Sequence, residues 1–266
     1  MSVSRSWVAR QDTFLGAVRS PWVLSLPLPV GFGTWRPPTY VGARDHRPTA
    51  SSAPRSLKTD WRHALNLTDA NPKAALRRDA LARRRSLPEE TRRKFAERLA
   101  REGLRLARLW RPCVVSAFHP IGDEPEILPL LAALAAESFA TALPVVVGSA
   151  LPLTFRLWRP GEPTRAGTMA IAQPFESAPA VEPDLLFVPL ACFDRRGHRI
   201  GYGAGYYDRS LALLRARRVI RAVGVAYGVC EVPAVPYEAH DQRLDAIVTE
   251  RETMWLERAD AATLYR

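Results

Sequence analysis

The densest run of chemistry-bearing residues lies between Val188 and Arg209, VPLACFDRRGHRIGYGAGYYDR. An apolar stretch from Asp184 to Leu190 feeds a polar loop, a glycine run and a segment expected to be helical from Gly205. Gly201, Gly203 and Gly205 alternate with Tyr202, Ala204 and Tyr206. Glycine lets backbone approach a ligand closely and adopt positive φ, and the free amides at a helix start suit phosphate oxygens. Arg199 adds a planar fork matched to phosphate, and Asp208 is a carboxylate suited to magnesium. The run fits neither the dinucleotide fingerprint nor the phosphate loop that ends in Lys-Ser/Thr. Taken alone, it reads equally well as a tight glycine turn before a helix, with the tyrosines packed as core. His119, His198 and His240 show no metal-ligand spacing and are read as structural or substrate-adjacent.

The elements that must hold this loop follow from periodicity. Asn71-Pro72 opens a helix, with Asn as cap and Pro in the first turn. Lys73 and Arg77, four apart, share one face of it. Ser86-Leu87-Pro88-Glu89 predicts a second helix with a capping box, running through Phe95, Leu99, Leu106 and Leu109 to Pro112. Strands are expected at 114–118, 142–147, 153–158, 184–190, 219–226 and 246–249, and helices at 127–139 and 205–217. Strands alternating with helices predict an α/β fold: three layers, a mostly parallel central sheet covered by helices, Rossmann-like. In such sheets the ligand crevice lies at the carboxyl ends of the strands, where the glycine loop must sit.

Residues 1–65 read differently. Seven prolines interrupt every candidate helix, so the segment is expected to be a disordered extension, or the product of a start assigned upstream of the natural one, before a catalytic domain over 66–266. The net charge of +11 is concentrated there and in residues 73–111, which carry 14 Lys+Arg against five Asp+Glu. That pattern reads as a solvated arginine-rich helix surface rather than a nucleic-acid site, since neither an aromatic-rich strand nor a zinc motif accompanies it. No apolar run approaches the roughly 18 residues of a membrane span. Cys113, Cys192 and Cys230 are read as free, mostly buried thiols of a reducing compartment.

The Val188–Arg209 run closely resembles the signature of the 5-formyltetrahydrofolate cyclo-ligase family, a strand followed by F-D-x-x-G-x-R-L-G-x-G-x-G-Y-Y-D-R. Further blocks resemble the family in order: Lys73-Ala74-Ala75-Leu76-Arg77, Phe118-His119-Pro120-Ile121 with Glu124, Leu153 to Trp158, Pro183-Asp184, Val235 to Asp241, and Leu244 to Glu250. The resemblance implies an ATP- and magnesium-dependent ligase that converts 5-formyltetrahydrofolate to 5,10-methenyltetrahydrofolate with release of ADP and phosphate. By the same resemblance, Lys73 and Arg199 are catalytic. ATP is held by Lys73, Arg77, Arg199, Gly201, Gly203, Gly205 and Tyr207. The folate lies against Glu124, Tyr202, Ala204 and Tyr206, and Asp208 and Asp241 hold magnesium. Glu126 stands two residues from Glu124 and is a second candidate for the folate contact. Cys230-Glu231 stands where many relatives have Gln-Glu, so a side-chain amide contact is not expected there. The implied protein is a cytoplasmic monomer acting on small molecules, with neither membrane nor nucleic acid as partner.

Overall fold

The computed structural model describes residues 71–256; the extension expected over 1–65 lies outside them. The first described helix, α1 (Pro72–Arg85), begins as expected: the Asn71 side chain accepts from the Ala74 amide at 3.1 Å, and arginines crowd its last turn, where they complement the helix dipole. The next helix, α2 (Glu89–Trp110), buries Phe95, Ala96, Leu99, Gly103, Leu106 and Ala107 along one stripe and stops at Arg111, in left-handed conformation before Pro112. The expected capping box does not form. Pro88 is the cap residue, and the Ser86 hydroxyl turns back to donate to the Arg83 carbonyl at 2.8 Å. Proline fixes an extended backbone there, which carries Ser86 away from the amides it was expected to cap.

Strand β1 (Val114–Ser116) is followed by α3 (Leu128–Ala136), β2 (Ala140–Val145) and β3 (Thr154–Leu157). A small hairpin, β4 (Arg165–Ala166) with β5 (Ala172–Gln173), precedes β6 (Ala180–Val181) and the central strand β7 (Leu185–Pro189). A second hairpin pairs β8 (Cys192–Phe193) with β9 (Arg199–Ile200). Then come α4 (Tyr206–Arg215), β10 (Arg221–Val225), β11 (Ala246–Val248) and β12 (Thr253–Trp255).

The main sheet runs β12-β11-β10-β7-β1-β2-β3-β6. Its five middle strands, β11 to β2, are mutually parallel, while β12, β3 and β6 join antiparallel at the edges. Leu185, Leu186, Phe187 and Val188 are all fully buried; because successive strand residues face opposite sides, helices and loops must cover both faces at β7. The α/β reading therefore holds, with antiparallel edges added.

Chain order reverses at β1, which has β2 on one side and β7 on the other. Such a switch point leaves a crevice beyond the strand ends. The helix α1 does not join the main core. Leu76 and Ala80 bury instead in a separate small cluster with Cys192, Ile200, Val232 and Val235. This seat on the β8–β9 hairpin brings the start of α1 to the crevice. Cys192 and Cys230 are buried, but Cys113 is exposed, contrary to its apolar sequence neighbourhood: it precedes β1 in the turn after Pro112 and lies outside the packed part of the strand.

Candidate functional site

A cavity of about 810 Å³ occupies the crevice. Phe118 and His119 reach it from beyond β1, Pro144 and Val146 from the end of β2, and Pro189 from the end of β7. One wall is the glycine run from Gly201 to Asp208, and α1 contributes Asn71, Lys73 and Arg77. Glu124, Arg199 and Asp241 complete the set of residues expected at a site, so all of them line one space.

The glycine turn has the backbone its composition implies at two positions. Gly203 has φ +100° and Gly205 has φ +66°, conformations that strain any residue with a Cβ. A Cβ on Gly203 would also lie 3.4 Å from the Arg77 guanidinium. Gly201 is not in this region; its role is its carbonyl, which accepts from Arg77 Nε at 2.7 Å. Gly205 caps α4, whose first turn carries Asp208.

The cations at the site are held by carboxylates. Lys73 Nζ lies 2.7 Å from Asp241 and 3.1 Å from Glu238. Burial alone would lower the Lys73 pKa, but these two carboxylates outweigh it and hold the ammonium above its ordinary value. Asp241 mirrors this: burial favours its neutral form, yet Lys73 and the Glu238 amide hold it below the ordinary carboxylate range. Its hydrogen bond from the Glu238 amide, at 2.8 Å, also makes it a loop cap. The Arg199 side chain is only 4% exposed; it reaches Asp208 at 3.0 Å and donates to the Gln242 carbonyl at 2.6 Å. Asp208 in turn accepts from the Gln242 amide at 3.0 Å.

The opposite side is an acid buried among aromatic groups. Glu124 is 6% exposed; one carboxylate oxygen accepts from the Ile121 amide at 2.9 Å, and the other has no hydrogen-bond partner. Burial raises its pKa, opposed by Tyr202, the Ile121 amide and the Arg84 charge. Burial and the Glu124 charge together raise the Tyr202 phenol. The Tyr207 hydroxyl is buried without a hydrogen-bond partner; burial and Glu124 push its pKa up while Arg199 pulls it down. Tyr207 therefore stands within electrostatic reach of both the Glu124 and the Arg199 sides. Tyr206 lines the cavity and carries Arg209 over its ring at 5.3 Å, and Ala204 lines the cavity between the glycines. Glu126 is exposed and accepts from the Leu128 amide at 2.8 Å, so it caps α3. At the position where an amide was not expected, Cys230 is buried with its sulfur 3.9 Å from the Ala80 carbonyl, and Glu231 pairs with Arg195.

Several residues to which the sequence assigned no role line or support this site. Asp194, fully buried, accepts from the amides of Arg196, His198 and Val235 and from the Arg196 guanidinium. Burial works against its charge, but His198, the Val235 amide and Arg196 hold it far below the ordinary carboxylate range. It shapes the β8–β9 hairpin that presents Arg199. Thr168, Ile171, Ala172 and the buried Gln173, from the β4–β5 hairpin, also line the cavity. Arg84 lies behind Tyr202 and donates to its hydroxyl at 3.0 Å.

Asp208 and Asp241 offer two carboxylates on one cavity. Among the described residues no group of three His, Cys, Asp or Glu could hold a metal ion. A pair of carboxylates fits magnesium, which takes one or two from protein and the remainder from phosphates and water.

The family model described as the 5-formyltetrahydrofolate cyclo-ligase family matches residues 69–250. The 5-formyltetrahydrofolate cyclo-ligase of Mycolicibacterium smegmatis is 32% identical over 188 residues, covering 67% of this chain and 94% of that protein. The Escherichia coli K12 protein of the same name is 29% identical over 172 residues, covering 63% and 94%. The solved structure of Aquifex aeolicus 5,10-methenyltetrahydrofolate synthetase superposes with a TM-score of 0.60 at 31% identity, covering 70% of this chain and 93% of that one. The Mycoplasma pneumoniae synthetase, at 20% identity and a TM-score of 0.53, shares the fold, covering 66% and 98%.

Proposed function

We propose, for a chain that belongs to the 5-formyltetrahydrofolate cyclo-ligase family, a division of its cavity into a nucleotide side and a pterin side. The protein is a ligase that converts 5-formyltetrahydrofolate to 5,10-methenyltetrahydrofolate using ATP. Lys73, Arg77, Arg199 and the Gly201–Gly205 turn take the triphosphate. Glu124, Tyr202, Ala204 and Tyr206 take the folate. Tyr207, which lines the same cavity, joins the first set in taking the nucleotide. The observation that carries this reading is the single cavity lined by Lys73, Arg77 and Arg199 together with Glu124.

The chemistry asks for alignment and charge neutralisation more than for a nucleophile. A formyl oxygen on N5 leaves poorly. Transfer of the γ-phosphoryl group to it, with ADP departing, turns it into a phosphate ester. N10 then attacks the formyl carbon, the C–O bond breaks with inorganic phosphate leaving, and N10 loses its proton. Lys73 and Arg199 lie where they can stabilise negative charge as it moves between the phosphate oxygens. Both are paired with Asp241 and Asp208, and these pairings must loosen for the cations to meet phosphate and the carboxylates to meet magnesium. Asp208 and Asp241 are the residues that would hold magnesium, which when bound neutralises phosphate charge. The Glu124 oxygen without a partner is an acceptor for N–H groups of the pterin. The protein acts as a cytoplasmic monomer on these small molecules, without a nucleic-acid or membrane partner.

The test is to incubate the protein with 5-formyltetrahydrofolate, magnesium and ATP and to follow methenyl absorbance in the near ultraviolet. An ATP-dependent rise is expected; its absence defeats the reading. Lys73→Ala should raise KM for ATP by about tenfold or more, as loss of a charge-assisted contact does, and leave KM for folate within about twofold. Glu124→Ala should do the reverse.

A further inference from the structure

We infer that Arg84 is a positioning residue for folate recognition: it holds the Tyr202 phenol against Glu124 and sets a positive charge behind this buried carboxylate. The inference rests on Glu124 being the folate contact and extends the machinery into a part of α1 outside the cavity lining.

Arg84 is an unusual arginine for a helix so rich in them. Arg83 and Arg85 beside it are exposed, but Arg84 is 5% exposed and belongs to the buried face of α1 with Leu76 and Ala80. Its Nη1 donates to the Tyr202 hydroxyl at 3.0 Å, while its Nε is buried without a hydrogen-bond partner. Its backbone carbonyl accepts from Arg92 at 2.9 Å, and Arg92 also donates to the Asp123 carbonyl at 3.2 Å, next to Glu124. The end of α1, the start of α2 and the acidic loop are thus tied together around the phenol.

A buried guanidinium with one arm used and one nitrogen unpaired is costly. Here its charge faces another buried charge. Arg84 and Glu124 form no direct ion pair within 4 Å among the described residues, and the Tyr202 hydroxyl stands beside both. The groups that act on Glu124 are Arg84 from α1, Tyr202 from the glycine turn and the Ile121 amide from its own loop; Tyr207 from α4 is the remaining ionisable group that feels it. Arg84 is the one cation in that set. A direct Arg84–Glu124 bridge would occupy the carboxylate. Acting through the phenol, Arg84 stabilises the charge and leaves one buried oxygen without a hydrogen-bond partner, which a turn of the carboxylate toward the cavity would offer to a ligand bearing adjacent N–H donors, as a 2-amino-pyrimidinone ring does.

The test uses Arg84→Met, Arg84→Lys, Tyr202→Phe and the Met/Phe double variant of the full chain, with steady-state kinetics in each substrate. Arg84→Met should raise KM for folate by about tenfold or more, the effect of losing a charge-assisted hydrogen bond, with KM for ATP within about twofold. Arg84→Lys, which keeps the charge but not the fork, should recover part of this. The double variant should be no worse than the poorer single one, because both break the same chain. Without the cation, the Glu124 pKa climbs further, so folate KM in Arg84→Met should fall as pH is raised, more steeply than in the parent. A folate KM unchanged in Arg84→Met, or equal increases in both KM values with a flat pH comparison, overturns the inference. Should Arg84→Met not fold, Arg84→Lys decides: a selective rise in folate KM that eases as pH is raised supports the inference, and a folate KM unchanged at every pH overturns it. Glu124→Ala separates the two levels. If it leaves folate KM untouched, the reading of the pterin side fails and takes this inference with it. If it raises folate KM while Arg84→Met does not, the inference alone fails.

Discussion

Asp194 shows how much of the site depends on a residue that touches no ligand. Its two oxygens gather the Arg196, His198 and Val235 amides around one buried point, and the hairpin so formed carries Arg199. His198 and Tyr237 stack above it with ring centroids 4.0 Å apart. Removing a buried, hydrogen-bonded carboxylate strands several donors at once, so Asp194→Ala should lower stability by about 3–5 kcal/mol, measured by chemical denaturation at pH 7. Its pKa is depressed in the folded state. Its contribution is therefore complete above the unfolded value near 4 and fades as pH falls through the folded value. The gap between parent and variant should shrink only below about pH 4; a gap that stays constant down to pH 2 would show that the charge is not what matters.

Among the elements, α2 and α3 approach closely at Gly103. A Cβ on Gly103 would fall 2.4 Å from one methyl of Leu130 and 2.7 Å from the other, and Leu130 is fully buried. Alanine gains up to about 1 kcal/mol of helix propensity over glycine, but overpacking costs about 1–3 kcal/mol. Gly103→Ala should thus leave the protein no more stable than the parent and by about 1 kcal/mol less, read from its unfolding midpoint. The same elements show what sequence can reveal. The strand β7 is plain as an unbroken apolar run, and α1 announces itself through Asn71-Pro72. Pairs as short as β8–β9, two residues each, vanish into what looks like polar loop, and β12 is three residues wedged among charges. Lys73, Arg77, Arg199 and the glycine turn could be named because the ordered blocks that carry them resemble the family signature; residue type and spacing alone read equally well as surface charge and a tight turn. Arg84 could not: in a helix with arginines at 83, 84 and 85, only packing separates the inward one from its neighbours. Gln173 and Thr168 arrive on a hairpin without any periodic signal.

For the molecule as a whole, part of the positive charge is answered locally. Arg93 pairs with Glu90 and Glu97, Lys94 with Glu90, Arg105 with Glu102, Arg108 with Glu137 and Arg85 with Asp123. The described residues that line the cavity fall between Asn71 and Asp241. A chain lacking residues 1–65 is expected to keep kcat and both KM values within about twofold; a large loss would assign the extension a part in catalysis. The slender apolar seat of α1 has a broader consequence. Beyond its buried Ala75, Leu76 and Ala80, this helix is fastened by Lys73 to Asp241, Arg77 to Gly201, Arg83 to the Val229 carbonyl and Arg84 to Tyr202, and two of these groups, Lys73 and Arg77, line the cavity. Occupancy and helix docking are then linked equilibria: a ligand gripped by both α1 and the glycine turn also holds those two elements to each other.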